Sequence, residues 1–466
     1  MTQVQHWANL LSIWLLPCHN HLLLSVQSYL STLVTASAIL VSTGLTAAGS
    51  PQIVATPLSP VPPSGPSGLL VGKLVGKTDF EKAWSAATLY KNEAHPVIQL
   101  FQLTGRIQLQ SIYGEAGGGD SFNTSDFKDS GQDEIVWGND LEVRRARIGF
   151  KSKFFHDWKI EAAFNVDVDG HDGAGGDSTF YKNFHEGGLT YAPSEQLNIA
   201  IGKKQVRFSR DQEISSTEIG TFERSLLSNI LTPGELTGAW TYGKGIAGAW
   251  HYEAGIFSNA RVAEFAQPGD GGVLAIGKIG YDLAEHVGLE SCITTFTYMH
   301  NSEPGYKDGK IDPNFSFSSS PQFTDSIALT NDLTEGRFGM ITELTYGFGF
   351  TGSADQGLSN LTSIVQSDLL GITLTPSFFL TDKVQAVYRF QLVSAADPNG
   401  IQVPSRYDRL AAGDDEKGNT YMAHYLGINY LIFSHKLKLM GGVEYSQMGG
   451  GSYDGYTLLT GLRMNF

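Results

Sequence analysis

Charge is missing from the first 72 residues of this 466-residue chain, where no Lys, Arg, Asp or Glu occurs before Lys73. Cysteine is almost as scarce: Cys18 and Cys292 are the only two, which excludes a disulfide framework and any cysteine-rich zinc site. Charged residues amount to 17% of the chain, well under the ~25% usual for soluble proteins. Basic residues do not dominate those that are present. The formal net charge is −15, and a nucleic acid partner is excluded because phosphate backbones need a basic face. Beyond the N-terminus no apolar run is long enough to cross a bilayer as a helix, so a polytopic helical membrane protein is excluded too. What the chain has in plenty is glycine, 54 residues, with 26 Phe and 19 Tyr. An all-β protein remains, either soluble or a membrane barrel.

The N-terminal fifth divides by composition. Residues 1–49 hold an apolar, Ser/Thr-rich stretch ending in Thr46, Ala47, Ala48 and Gly49, which predicts an export signal although its basic flank is missing. Residues 50–72 carry Pro51, Pro57, Pro60, Pro62, Pro63 and Pro66 among Ser and Gly, an extended linker. Within the lead-in segment 73–96, Phe80, Ala83, Trp84 and Ala87 recur at helical spacing. This predicts a short helix against the base of the main domain, 97–466, or against a neighbouring subunit.

From residue 97 the hydrophobic period is two. Phe101, Leu103, Gly105, Ile107 and Leu109 alternate with Gln102, Thr104, Arg106, Gln108 and Gln110. Trp158, Ile160, Ala162 and Phe164 likewise alternate with Lys159, Glu161 and Asn165. Such strands separate two different environments. The connectors choose between sandwich and barrel. Short turns, near Phe155–Asp157, Pro193–Glu195, Lys244, Ala284–His286, Asn331–Glu335, Thr381–Asp382 and Phe433–Ser434, alternate with long polar loops. A transmembrane antiparallel β-barrel of about 16 strands requires that alternation, with short periplasmic turns and long external loops. The strand near 323–330 is the weakest of the set. The last strand places Tyr456, Leu458, Thr460, Leu462, Met464 and Phe466 on one face. It ends on the aromatic residue expected of a signal read by barrel-assembly machinery in the outer membrane.

A barrel of this size leaves a water-filled lumen whose polar lining sets what passes. Arg145, Arg147, Lys151 and Lys153 share one parity, opposite Ala146, Ile148 and Phe150. Lys or Arg on the lipid face near mid-bilayer costs about 2–4 kcal/mol, so the basic stripe is expected to face inward. Arg106, Lys159 and Lys204 fall on the polar side of their strands; Lys203 has the opposite parity. Inward Arg and Lys favour anions by replacing lost hydration. The alternative is a stripe balanced by acids such as Glu161 and Asp167 that stiffens the wall. Loop 207–235, with Arg207, Arg210, Glu223 and Arg224, is the candidate constriction; its alternative is an exposed loop of paired charges.

The segments Glu142-Val-Arg-Arg-Ala-Arg147-Ile-Gly149, Phe155-His-Asp-Trp158-Lys159, Ile201-Gly-Lys-Lys204 and Phe222-Glu-Arg-Ser-Leu226 through Leu231-Thr-Pro-Gly234 occur in order within 140–235. In them the sequence resembles the phosphate-selective porins O and P. The resemblance implies a trimer of 16-stranded barrels whose long loops fold inward and whose arginines and lysines draw phosphate through a narrow zone. The expected partners are small anions such as phosphate, outer-membrane lipid and lipopolysaccharide, the assembly machinery and two further copies of the chain. No cofactor or metal is expected. The acidic loop 115–142, with Lys128 as its single base, departs from that family and keeps a general or weakly cation-preferring porin open. A barrel enzyme is not supported, because nothing orients a base against Ser178, His171 or His185. An adhesin acting through its long loops is the remaining rival. Asp167, Asp169, Asp172 and Asp177 lack the glutamate of a calcium loop, and Cys292 reads as a small apolar filler.

Overall fold

The computed structural model describes residues 78–117, 142–166, 181–304, 306–307, 310–311, 323–355, 361–403, 417–451 and 453–466. The expected signal, the linker and the aspartate cluster around 167–177 lie outside the described residues. Sixteen strands close into an antiparallel barrel. They are β1 Ile98–Gly117, β2 Glu142–Phe154, β3 Trp158–Val166, β4 Tyr181–Tyr191, β5 Asn198–Val206, β6 Gly234–Ile246, β7 Trp250–Ser258 and β8 Val273–Asp282. The second half comprises β9 Ser291–Asn301, β10 Asp325–Glu335, β11 Phe338–Phe348, β12 Leu369–Phe379, β13 Val384–Ala395, β14 Thr420–His435, β15 Leu437–Gly449 and β16 Asp454–Asn465. Each strand pairs with the next, and β16 pairs with β1 from Arg106↔Asn465 to Gly117↔Asp454. Closure leaves no free sheet edge in the wall, which is what permits strands to cross a bilayer.

Three expected turns are strand instead. β6 continues through Lys244, β10 through Asn331–Glu335 and β14 through Phe433–Ser434. Asn331 and Asp332 read as turn formers, yet each has a partner on its own face of the sheet. Asn331 donates to Thr294 across the outer surface at 2.9 Å, and Asp332 accepts from Arg210 on the inner one at 2.7 Å. The strand expected near 323–330 is β10 itself.

The outer face is an apolar belt. Ile201 is 56% exposed and Ile256 63%, accompanied by Ile107, Ile148, Ile160, Ile279, Phe296, Leu329, Leu426 and Leu458. Aromatic pairs mark the short-turn rim, Trp158 with Tyr191 at 5.1 Å and Trp250 with Tyr281 at 4.8 Å. An apolar band with an aromatic girdle is the exterior that lipid demands.

The lead-in begins with helix α1 (Asp79–Ser85), which ends two residues before Ala87, the last of the helically spaced residues. Thr78 and Glu81 cap it reciprocally, the Thr78 hydroxyl accepting from Glu81 N–H and the Glu81 carboxylate from Thr78 N–H. Phe80 stacks on Phe433 at 5.5 Å, Trp84 meets the same ring at 5.3 Å, and the Trp84 indole donates to the Asn465 carbonyl. A short strand, Thr88–Lys91, then pairs with β1 beyond the point where β16 ends. Phe466 completes the seam: its backbone exchanges two 3.0 Å hydrogen bonds with Gly105, and its ring occupies the space a Cβ would need there.

Candidate functional site

Connector 207–233 between β5 and β6 folds into the barrel. It carries two short helices, α2 (Arg210–Glu213) and α3 (Leu226–Leu231). Its residues bond to Arg106 and Gln108 on β1, Lys278 on β8, Asp332 on β10, Glu343 on β11, Gln391 on β13, Asn429 on β14 and Lys438 on β15. One segment reaches all of those strands only from inside. The same contacts identify the inner face of the wall. The reading of this loop as a solvated surface element is thereby overturned.

Packing holds the loop as well as polar contacts do. Leu226, Leu227, Ile230 and Leu231 of α3 are buried with Phe208, Phe323, Leu369 and Val393. A Cβ at Gly371 would stand 2.4 Å from the Leu227 side chain, and one at Gly347 2.8 Å from Leu231. The wall therefore needs glycine where the helix lies against it. Phe222 fills a second apolar cluster with Ile112, Tyr425, Met440 and Leu459.

Cross-strand partners share a face, which places the expected stripe. Arg106 pairs with Arg147, Gln108 with Arg145, Gln102 with Lys151 and Lys153 with Lys159, so all of these belong to the inner side. Their environments differ. Arg106 donates to Ser216 at 2.6 Å and to Ser215 at 3.1 Å; Arg145 donates to Gln108 and Arg147 to Asn165, each at 2.8 Å. Lys151 and Lys153, nearer the short-turn rim, stand 4.0 Å from Glu161 and 3.8 Å from Glu93. That is the balanced arrangement, and those two lysines lie outside the loop's contacts.

Lys204 shares the inner face with Glu253, its ion-pair partner, and its ammonium lies 5.0 Å from the Trp240 ring centre. Lys203 turns the other way and is almost fully buried, its ammonium donating to the carbonyls of Phe184, Val262 and Ala263. Within the loop, Arg207 faces Glu186 at 3.5 Å, and Arg210 bonds Asp332 at 2.7 Å and Glu213 at 3.4 Å. Arg224 donates to the backbone carbonyls of Asp211 and Ile214. Glu223 accepts from Arg144 at 2.9 Å. Burial opposes ionisation of Glu223, but Arg144 and Arg145 outweigh it and hold its carboxyl down at about 2.

Arg144 was not among the expected pore residues, because its parity matches Ala146 and Ile148. A β-bulge explains the difference. The β1–β2 register slips between Gln108↔Arg145 and Leu109↔Val143, leaving Arg144 as the extra residue and turning it inward beside Arg145. Lys438, Arg463 and Arg389 were missed too. They are sparse charges in largely apolar strands, and their partners, the inward loop for all three and Glu444 of β15 for Arg389, are distant in sequence. Elsewhere, His185 contacts Glu235 at 3.3 Å and Glu186 at 3.7 Å, while His171 and Ser178 lie outside the described residues. Cys292 is buried and accepts from Asn331. No group of acids, histidines and cysteines among the described residues has the arrangement to hold a metal ion.

No curated protein matches this chain. Among solved structures, OmpT of Vibrio cholerae shares 10% identity, covering 79% of this chain and 98% of its own, with a TM-score of 0.47. The outer membrane channel DcaP of Acinetobacter baumannii shares 14%, covering 80% and 99%, with a TM-score of 0.46. Salmonella typhi OmpF in complex with daunomycin shares 11%, covering 81% and 100%, with a TM-score of 0.47. At such overlaps nothing about the activity of this chain follows from them. Residues 120–275 match the family described as phosphate-selective porin O and P. That match spans a third of the chain; the closed sixteen-stranded wall with its apolar exterior and a loop folded into its lumen is that of an outer-membrane β-barrel.

Proposed function

We propose that the channel prefers small anions, phosphate among them, over cations. One observation carries this reading. Arg106, Arg145, Arg147 and Arg224 are half-buried around the inward loop, and their hydrogen bonds go to neutral acceptors: serine hydroxyls, side-chain amides and backbone carbonyls. Among the described residues no carboxylate lies within 4.0 Å of these four, whereas Arg144, Lys204, Arg210 and Lys278 are each paired with one. A neutral acceptor orients a guanidinium without cancelling its charge. Positive charge is thus left beside the inward loop, and the guanidinium fork matches oxyanions.

The zero-current potential of purified, refolded protein in a planar bilayer under a KCl gradient tests it. An anion-selective sign is expected for the native chain, and Arg145→Glu with Arg147→Glu should weaken or reverse it. Unchanged selectivity in the double variant would remove the stripe from the mechanism. The net charge of −15 supports a second reading, a general or weakly cation-preferring pore, which a cation-selective sign in the native protein would favour. The likeness to the family supports assembly as a homotrimer, and Phe466 at the closing seam suits an assembly signal. Conduction without turnover is the expected activity; no catalytic group is assigned.

A further inference from the structure

The constriction has a feature that none of its charged side chains explains. Five peptide carbonyls of the inward loop, those of Ser216, Ile219, Gly220, Phe222 and Glu223, are turned to the wall and captured there. Lys438 donates to Ile219 O at 2.7 Å, Asn429 to Gly220 O at 2.8 Å and Arg389 to Glu223 O at 2.7 Å. Arg463 donates to Ser216 O at 2.7 Å and to Phe222 O. The capturing groups are sealed from solvent: Lys438 and Asn429 are 0% exposed, Arg463 2% and Arg389 3%. Sealed in this way they meet no permeating ion: Arg389 is also paired with Glu444 at 2.6 Å, and the bonds of all four orient the loop.

Peptide geometry carries the argument forward. In a trans peptide the N–H points opposite to the C=O of the same plane. Fixing the carbonyls of Ile219, Gly220, Phe222 and Glu223 on the wall turns the N–H groups of Gly220, Thr221, Glu223 and Arg224 away from it, towards the channel axis. None of these four N–H groups donates to an acceptor in the protein. Gly220, Glu223 and Arg224 are half-buried rather than sealed, while Thr221 is buried, so three of the four N–H groups belong to accessible residues.

We infer that segment 219–224 forms a main-chain binding site for a tetrahedral oxyanion, inorganic phosphate or sulfate, with Lys438, Asn429, Arg463 and Arg389 as the positioning residues that aim its N–H donors. Clustered backbone N–H groups attract anions without adding formal charge. An anion with several acceptor oxygens engages more of them than a halide does. The inference deepens the anion reading proposed above and rests on it. Glu223, whose own N–H belongs to the site, does not compete for it, because its carboxylate is drawn aside onto Arg144.

The test measures the phosphate concentration that half-blocks chloride current through single channels of the full protein. Asn429→Leu releases one captured carbonyl without changing charge, and Lys438→Met releases another. Folding of each is checked by the heat-dependent shift of the barrel on a gel. Each variant should need about tenfold more phosphate, the scale expected for one lost polar anchor, and Lys438→Arg should restore much of the block. If both variants fold and keep the native half-blocking concentration, the main-chain site is overturned. The anion reading would then still stand on the sign of the reversal potential. If Lys438→Met fails to fold, Asn429→Leu alone decides. An absence of phosphate block in the native channel would also overturn the site.

Discussion

Arg144 shows how much a single residue depends on its neighbours' register. Strand parity assigns it to lipid; the bulge turns it onto Glu223, and that pair anchors the loop to β2. The pair also fixes a pH response. Glu223 titrates at about 2, below the ~4.3 of an ordinary glutamate. Its stabilisation of the loop is therefore present above the ordinary value and lost as pH falls through the depressed one. The Arg144–Glu223 contact should hold from neutral down to about pH 3 and break only below it. Single-channel records of the native chain and of Glu223→Gln across that range check this; a transition near the ordinary carboxyl value that Glu223→Gln removes would mean that the pair does not form. Arg144→Ala should move the transition up towards that value.

At the scale of elements, α3 is an apolar wedge and its hold on the wall is a packing problem. Leu227 and Leu231 are 2% and 1% exposed, so truncating either to alanine leaves a cavity. Each substitution should cost about 2–4 kcal/mol of loop and barrel stability, in the usual range for a buried leucine. Urea unfolding in detergent reads that cost. Gly371→Val should act from the other side, because its side chain claims the space of Leu227. A wider or noisier pore is expected. The lead-in helix offers a contrast. Its helical spacing was readable in Phe80, Ala83 and Trp84, but its seat on Phe433 was not, since that contact joins residues 353 positions apart in the case of Phe80.

For the whole molecule, one alternation divides a lipid-facing surface from a lumen. Ile256 on the outer belt, 63% exposed, is the sharpest test of that division. Ile256→Arg should destabilise the inserted barrel by about 2–4 kcal/mol if it lies near the bilayer midplane. Lys151→Gln, at an exposed position on the inner face of β2, should leave stability nearly unchanged and instead alter conductance. Refolding yields into lipid vesicles compare the two. Removal of residues 1–72 should leave a conducting barrel, since all sixteen strands lie beyond them; loss of channels after that deletion would assign those residues a part in the wall.

Period-two alternation, the short–long rhythm of connectors and the terminal strand determined the barrel class and the inner face of Arg106, Arg145 and Arg147. Those are local properties: each strand's two sides meet different solvents, and the pattern is written residue by residue. Tertiary structure alone decided the rest. Whether a basic residue faces a neutral partner, like Arg147 on Asn165, or a carboxylate, like Lys151 beside Glu161, depends on which strand comes to lie alongside. Whether loop 207–233 hangs in solvent or fills the lumen depends on partners as distant in sequence as Lys438 and Arg463. Alternation records which solvent a side chain faces. It carries no record of which neighbour meets it there, because closing the barrel brings together residues that no local pattern links.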